Sequence, residues 1–315
     1  MIERKIEIRN INSLYELINY ISRIDLNNSL KDKTVLAFRG EKRDYSIKKE
    51  NDNCFKNTEL APFIYRKNYS EHEDTIFRES QRFNNQEFIE DRTAFDKLSR
   101  IQHYSAPTRL LDISEDLMSA LYFATEGKKD KEESLIYIFE IEEDKIKYYD
   151  SDTVSVISNL AKIPLDSKKK SKSKRMLLCD SIRLKGNIKE FNKTSSAKFL
   201  RHEIREEKPQ FESIINPKHL TSIQCVRPKL TSGRIKSQKG FFLLFGLNED
   251  NHKEHIKLID DGKLLDTKKV KHPIKKIHKI TISNIKNDLE KIGIKKPFIY
   301  PEIDKVSEYL TERYK

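Results

Sequence analysis

Apolar residues fall along this chain either at helical spacing or in short continuous runs, and each pattern predicts its own kind of element. Leu14, Leu17, Ile18, Ile21 and Ile24 share one helical face, and Ser13 with Glu16 makes a capping-box pattern, so a helix is predicted to residue 25. A polar turn from Asn27 to Lys33 then leads to Thr34–Phe38, a run short and apolar enough for a strand buried on both faces. Arg39-Gly40 is expected to end that strand. Residues 41–58 are polar and predict a loop, and Leu60–Arg66, interrupted by Pro62, an irregular or extended segment. Helical spacing returns over Glu71–Phe83 and Thr93–Gln102, with Ile76, Phe77 and Phe83 on the first and Phe95, Leu98 and Ile101 on the second.

The stretch Ile101–Asp112 breaks this regularity. Ala106-Pro107 disfavours helix, because proline lacks an amide proton and restricts the residue before it. Leu110 and Leu111 lead to a further helix, started by a capping box of Asp112 with Glu115 or by Ser114, with Leu117, Leu121 and Ala124 on its apolar face. A short charged connection, Gly127–Glu133, precedes Leu135–Ile141, the clearest strand in the chain. Val154–Leu160 predicts a helix capped by Asp152 or Thr153, and Ser167–Arg175 a flexible, low-complexity Lys/Ser loop. Ile223–Val226 and Phe241–Phe245 read as strands. From Ile277 the pattern is strand, helix and short helix, with Gly293 placed to terminate the first of these helices. The expected fold is α+β: one domain over residues 1–315, with a helix in 1–29 and a core over about 30–312. Its small mixed sheet comprises Thr34–Phe38, Leu135–Ile141, Ile223–Val226 and Phe241–Phe245, with helices packed around it.

Composition changes this picture little and narrows the chemistry. At 36% apolar and 36% charged, the chain of 315 residues is polar yet holds 16 Phe and 13 Tyr, enough for a core. A net charge of +12 favours nucleic acid or another anionic ligand as partner, although a solvated lysine-rich surface gives the same surplus. Cys54, Cys179 and Cys225 lack paired spacing, which fits a reducing compartment; a cytoplasmic protein without membrane association is expected. Met1-Ile-Glu-Arg-Lys5 does not start a signal peptide. No Walker loop, G-x-G-x-x-G, G-x-S-x-G or H-E-x-x-H occurs. His252, His255, His272 and His278 have no carboxylate-supported ligand spacing; they read as surface residues, and no metal is expected.

Two places concentrate polar chemistry. Arg39 at a strand end can offer a rigid fork of donors to a phosphate or carboxylate, and Gly40 permits close approach of a ligand or another backbone. Gln102, His103, Tyr104, Thr108, Arg109 and Asp112 crowd into eleven residues at a helix entrance. The bland alternatives are a strand-end salt bridge followed by a turn, and an ordinary loop running into a helix.

Phe38-Arg39-Gly40, Gln102–Asp112 and Ala120-Leu-Tyr-Phe-Ala124 together resemble the FRG-domain family. That family is named for a Phe-Arg-Gly motif and marked by Gln-His-Tyr-Gly-x-Pro-Thr-Arg-Leu-Leu-Asp. Ser105 here replaces the usual glycine, and Ile113 a usual aromatic. Pro62–Arg66, Arg234–Gly240 and Tyr300–Asp304 also look family-like. A second similarity, in element order, is to ADP-ribosyltransferases: Arg39 on a strand, Thr108 ahead of a small-residue helix, an apolar strand, and late in the chain Gln238. This similarity implies NAD as cofactor or substrate. It gives catalytic roles to Arg39, His103, Tyr104 and Gln238, with Glu207 or Asp112 supplying the charge that Gln238 cannot. It also implies cofactor contacts from Gly40, Gln102, Thr108, Arg109, Asp112 and Tyr122. The function expected is an NAD-using transferase or NAD-cleaving effector, of a toxin or phage-defence kind, acting on nucleic acid or protein and held by a neutralising partner. The alternatives are a non-catalytic nucleic-acid-binding or sensor module, and buried ion pairs of Arg39 and of Arg109 with Asp112 that only organise the core.

Overall fold

Ser134–Glu142 lies near the middle of the structure because both of its faces are apolar. Leu135, Tyr137, Phe139 and Ile141 point into one core layer, and Ile136 and Ile138 into another on the opposite face. The computed structural model describes residues 6–24, 33–45, 59–66, 69–129, 131–165, 174–185, 187–212, 214–230, 240–248, 256–260, 263–266 and 269–314. Its strands are β1 (Glu7–Ile11), β2 (Thr34–Glu41), β3 (Leu110–Ser114), β4 (Ser134–Glu142), β5 (Lys147–Tyr148), β6 (Ile223–Arg227), β7 (Gly240–Phe245), β8 (Ile259–Asp260), β9 (Lys263–Leu264) and β10 (Ile274–Ile282). Eight of them form one mixed sheet in the order β1-β10-β4-β2-β3-β7-β6-β5. The α+β expectation holds, with a sheet twice the expected width.

The sheet has a weak seam. β2 pairs with β4 from Thr34–Glu142 to Glu41–Leu135, and β3 pairs with β7 from Leu110–Leu244 to Ser114–Gly240. Between β2 and β3 the ladder has a single pair, Phe38 with Ser114. Two four-stranded halves thus meet at one point, and the polar ends of β2 and β3 part beside it.

Helices cover the faces: α1 (Leu14–Ser22), α2 (Glu73–Phe83), α3 (Ala94–His103), α4 (Leu117–Thr125), α5 (Asp152–Ser158), α6 (Lys174–Lys185), α7 (Ile188–Lys193) and α8 (Ser195–Arg205). Further helices follow at Pro217–Leu220, Lys286–Lys291, Lys296–Ile299 and Ile303–Arg313. Helix α4 lies on β2, and Gly40 is what lets it. A Cβ built at Gly40 would sit 1.8 Å from the Ala120 carbonyl oxygen and 2.8 Å from the Ala124 nitrogen. The glycine of the Phe-Arg-Gly motif and the two alanines of the later motif are therefore one packing device. Gly40→Ala should destabilise the fold by about 1–3 kcal/mol or more, because an immovable backbone blocks the added methyl. Urea denaturation checks this; an unchanged midpoint would show that α4 does not sit so close.

Several expectations are corrected. β1 precedes the first helix, which ends at Ser22 and not at residue 25. β2 continues through Arg39 and Gly40 to Glu41. Leu110–Ser114 is a strand and not a lead-in to a helix: Leu110, Leu111 and Ile113 are buried on both sides of it, while Asp112 is exposed. Helix α4 starts later, capped by Asp116, whose carboxylate accepts the Ser119 amide at 2.9 Å. The Lys/Ser run largely falls outside the described residues, but Lys174 and Arg175 open α6, and Arg175 is buried. His272 and His278 are core residues, His278 held between Tyr20 (2.6 Å) and Glu140 (2.7 Å); His252 and His255 lie outside the described residues. Gly293, at φ +89°, does follow Lys286–Lys291 as its terminator. No helix among the described residues is long and apolar enough to cross a membrane.

Candidate functional site

A cavity of about 430 Å³ opens where β2 and β3 part. Arg39, Glu41, Gln102, His103 and Asp112 all line it, so segments more than sixty residues apart in sequence meet in one site. The volume is in the range of small-molecule sites, roughly 300–1,000 Å³.

One polar chain sets the geometry of the wall from α3 and β3. The Leu110 amide donates to Thr108 Oγ1 (3.1 Å), the Thr108 hydroxyl to Gln102 Oε1 (2.6 Å), and Gln102 Nε2 to Asp112 Oδ2 (2.7 Å). Each link fixes the next, and Asp112 ends the chain as a carboxylate presented to the cavity. Ser105, at the turn between α3 and Pro107, has φ +61°, the left-handed region in which glycine is unstrained. The glycine usual in the related motif thus has a backbone reason, and serine here holds the same turn.

Arg39 ties the two walls together. Its Nε donates to Glu41 Oε1 at 3.0 Å and its Nη1 to the Asp112 carbonyl at 2.7 Å, leaving other N–H groups of the fork for a ligand. Residues 39 and 41 share a strand face because side chains alternate. Glu41 is 4% exposed, and its Oε2 has no hydrogen-bond partner among the described residues. Burial pushes the Glu41 carboxyl above the usual carboxylate range, against the pull of Arg39 and Arg66. Arg66 also lines the cavity, its guanidinium 5.4 Å from the Tyr45 ring centroid and 5.8 Å from that of Phe63. Burial and the neighbouring Arg39 hold Arg66 below the ordinary arginine range.

His103 closes the end of α3. Its Nε2 lies 3.5 Å from Glu302, and its ring meets Tyr104 edge-on at 5.2 Å. Tyr300, two residues before Glu302, lines the cavity with Phe123 and packs edge-on against it at 6.1 Å. The segment before the last helix therefore completes the rim.

The remaining expected site residues lie elsewhere. Thr108 is buried behind Gln102 and acts through it. Arg109 and Asp112 do not pair. Arg109 precedes β3, whereas Asp112 lies within it and is exposed at the cavity. Arg109 is fully buried and grips Glu73 through Nε (2.7 Å) and Nη2 (2.5 Å), while its Nη1 donates to the Phe245 carbonyl (2.8 Å). Arg175 reaches the same carboxylate at 3.0 Å. Tyr104 is 59% exposed and donates to Glu87 at 3.1 Å, outside the cavity. Tyr122 stands behind the rim, near Glu126 (3.4 Å) and edge-on to Tyr300. Glu207 is away from the cavity, accepting the Ala94 amide (2.6 Å) and Asn159 Nδ2 (2.9 Å); burial raises its pKa. Gln238 lies outside the described residues. Sequence reasoning missed Glu41, which a strand extended by three residues would have placed beside Arg39. Among the described residues, no group of His, Cys, Asp and Glu could hold a metal ion.

Both motifs thus line or frame one cavity, and residues 34–133, which contain them, match the family model described as the FRG domain. The chain carries an FRG domain. The matched segment runs from the start of β2 to just before β4 and covers under half of the chain. Within it lie Arg39, Glu41, Arg66, Gln102, His103 and Asp112; Tyr300 and the Gly240–Phe242 part of the cavity wall come from beyond the FRG segment. Neither the curated proteins nor the solved structures gave a match to the chain.

Proposed function

We propose that the FRG-domain cavity binds NAD and cleaves the bond between nicotinamide and ribose, with transfer of ADP-ribose to water or to an acceptor. The observation that carries this reading is the meeting of an arginine fork, a positioned carboxylate and aromatic rings in one cavity of nucleotide-fragment size. Arg39 and Arg66 are suited to the diphosphate, since guanidinium forks match phosphate oxygens. Phe123 and Tyr300 offer apolar surface to a flat ring. Asp112, fixed by Gln102, supplies negative charge where positive charge grows on the ribose as the bond breaks. Nicotinamide leaves as a neutral base with the bonding electrons, and water or an acceptor hydroxyl adds to the ribose carbon and loses a proton. The order of elements, with Arg39 on a strand and α4 and β4 after it, supports an ADP-ribosyltransferase-like site. On this reading the protein is an effector of a toxin or phage-defence kind, whose net charge of +12 suits a nucleic-acid acceptor.

Incubation of purified protein with NAD, followed by mass spectrometry of nicotinamide, tests the proposal. The wild type should release nicotinamide, and Arg39→Ala should lower release by about 10²-fold or more, as expected for a lost electrostatic clamp, while keeping its circular dichroism spectrum. No release by folded wild type would overturn the reading. Salt-sensitive binding of DNA or RNA in that case would favour a non-catalytic binding module.

A further inference from the structure

Glu41 is the buried group of the cavity that the proposed reaction leaves without a role. Its two oxygens differ: Oε1 accepts from Arg39 Nε at 3.0 Å, and Oε2 is buried with no partner among the described residues. An ionised carboxylate placed this way would keep one oxygen dry and unpaired, which disfavours the charged form. A neutral acid removes the charge part of that penalty and leaves only a hydroxyl to be satisfied. Its carbonyl oxygen accepts from Arg39, and its hydroxyl becomes a donor in want of an acceptor, which a ligand in the cavity that Glu41 lines can supply.

The surroundings are mixed in charge. Arg39 faces Glu41 from its own strand, and Arg66 and Glu59 act on it from the segment before α2. Tyr137 on β4 feels the Glu41 charge and donates to Glu59 at 3.0 Å. Glu59 is in turn bound by Lys279 of β10 (2.9 Å), which also holds Asp44 (3.0 Å). Lys279 and Tyr137 thus serve Glu59, and Lys42, the next residue along the chain, bonds Glu126 at 3.1 Å. Burial outweighs the two arginines and raises the Glu41 pKa.

We propose that Glu41 acts as a neutral carboxylic acid, donating from Oε2 to the carbonyl oxygen of the nicotinamide carboxamide. This rests on the reading that the nicotinamide end of NAD enters the cavity. It makes Glu41 a specificity-determining residue: the site selects ring substituents with an acceptor at that place, and it does not need the amide N–H. Protonated Glu41 also leaves the positive charge of Arg39 and Arg66 uncancelled for the diphosphate.

Two measurements decide it, one without ligand. The infrared difference spectrum of wild type minus Glu41→Gln, taken on ligand-free protein at neutral pH, should contain a protonated-carboxyl stretch. Its absence would overturn the proposal whether or not NAD is a substrate. The second measurement compares NAD with its acetylpyridine analogue, which keeps the ring carbonyl and lacks the amide N–H. Wild type should bind the two within about threefold of each other. For both, KM should rise with pH as Glu41 ionises, and in Glu41→Gln, which keeps a donor at that place, the rise should vanish. Binding of the analogue ten or more times weaker than NAD would show Glu41 accepting as a carboxylate and sink the idea. A wild type that releases no nicotinamide would defeat the NAD reading alone, and the infrared band would still report the state of Glu41.

Discussion

Glu73→Ala is expected to leave little or no folded protein at room temperature. Glu73, Arg109 and Arg175 are each no more than 2% exposed, and the single carboxylate neutralises two guanidinium groups. The arginines are otherwise well bonded: Arg109 to the Phe245 carbonyl, and Arg175 to the carbonyls of Ser70 (2.9 Å) and Ile163 (2.9 Å). Burial pulls the Arg109 guanidinium down, but Glu73 and Tyr65 lift it above its ordinary value, so its charge persists. Removing Glu73 strands two charges in a dry interior. Breaking one buried pair costs about 3–5 kcal/mol, a large part of the roughly 5–15 kcal/mol that holds a domain together. The triad also joins α2, the residue that leads into β3, and α6, so its loss is not confined to one element. Circular dichroism and urea titration check this. A variant that melts within a few degrees of wild type would show that water or neighbouring groups take over the charge.

Asp112→Asn should have the opposite profile: intact fold, lost chemistry. The replacement has the same shape, and its amide oxygen can still accept from Gln102 Nε2, so stability should change by about 1 kcal/mol or less. What disappears is the negative charge at the cavity wall, which on the proposed reading faces the ribose. Loss of one preorganised electrostatic group lowers turnover by about 10²–10³-fold, and the same fall is expected in nicotinamide release, with KM for NAD little changed. Equal rates in Asp112→Asn and wild type would remove Asp112 from the mechanism. A rise in KM alone would make it a binding group.

These two variants separate residues that the sequence presents together. Arg109 and Asp112 sit three apart in one motif and look alike as candidates. Arg109, just before β3, turns into the core to meet Glu73, while Asp112 within β3 meets the cavity, so the first governs folding and the second lines the site. Glu207 shows the converse. Its carboxylate was the best sequence substitute for a transferase glutamate, yet it holds the start of α3 and the side chain of Asn159.

What the sequence determined by itself was local. Short continuous apolar runs gave β4 and β7, and period-3.6 patterns gave α2 and α3, because burying such surface leaves few alternatives for a strand or helix. The motifs marked the FRG segment and five candidate residues that line the cavity: Arg39, Gly40, Gln102, His103 and Asp112. Only the tertiary structure decided the rest. β1 and β5 are short and carry weak patterns, so pairing with β10 and β6 defines them. Arg175 reads as the end of a solvated charge run until α6 delivers it to Glu73. Glu41 reads as the first residue of a polar loop until β4 extends β2 past Gly40 and buries it. In each case the deciding contact joins residues far apart in the chain. A charged side chain has the same identity in solvent and in a core, and only its distant partners settle which it occupies.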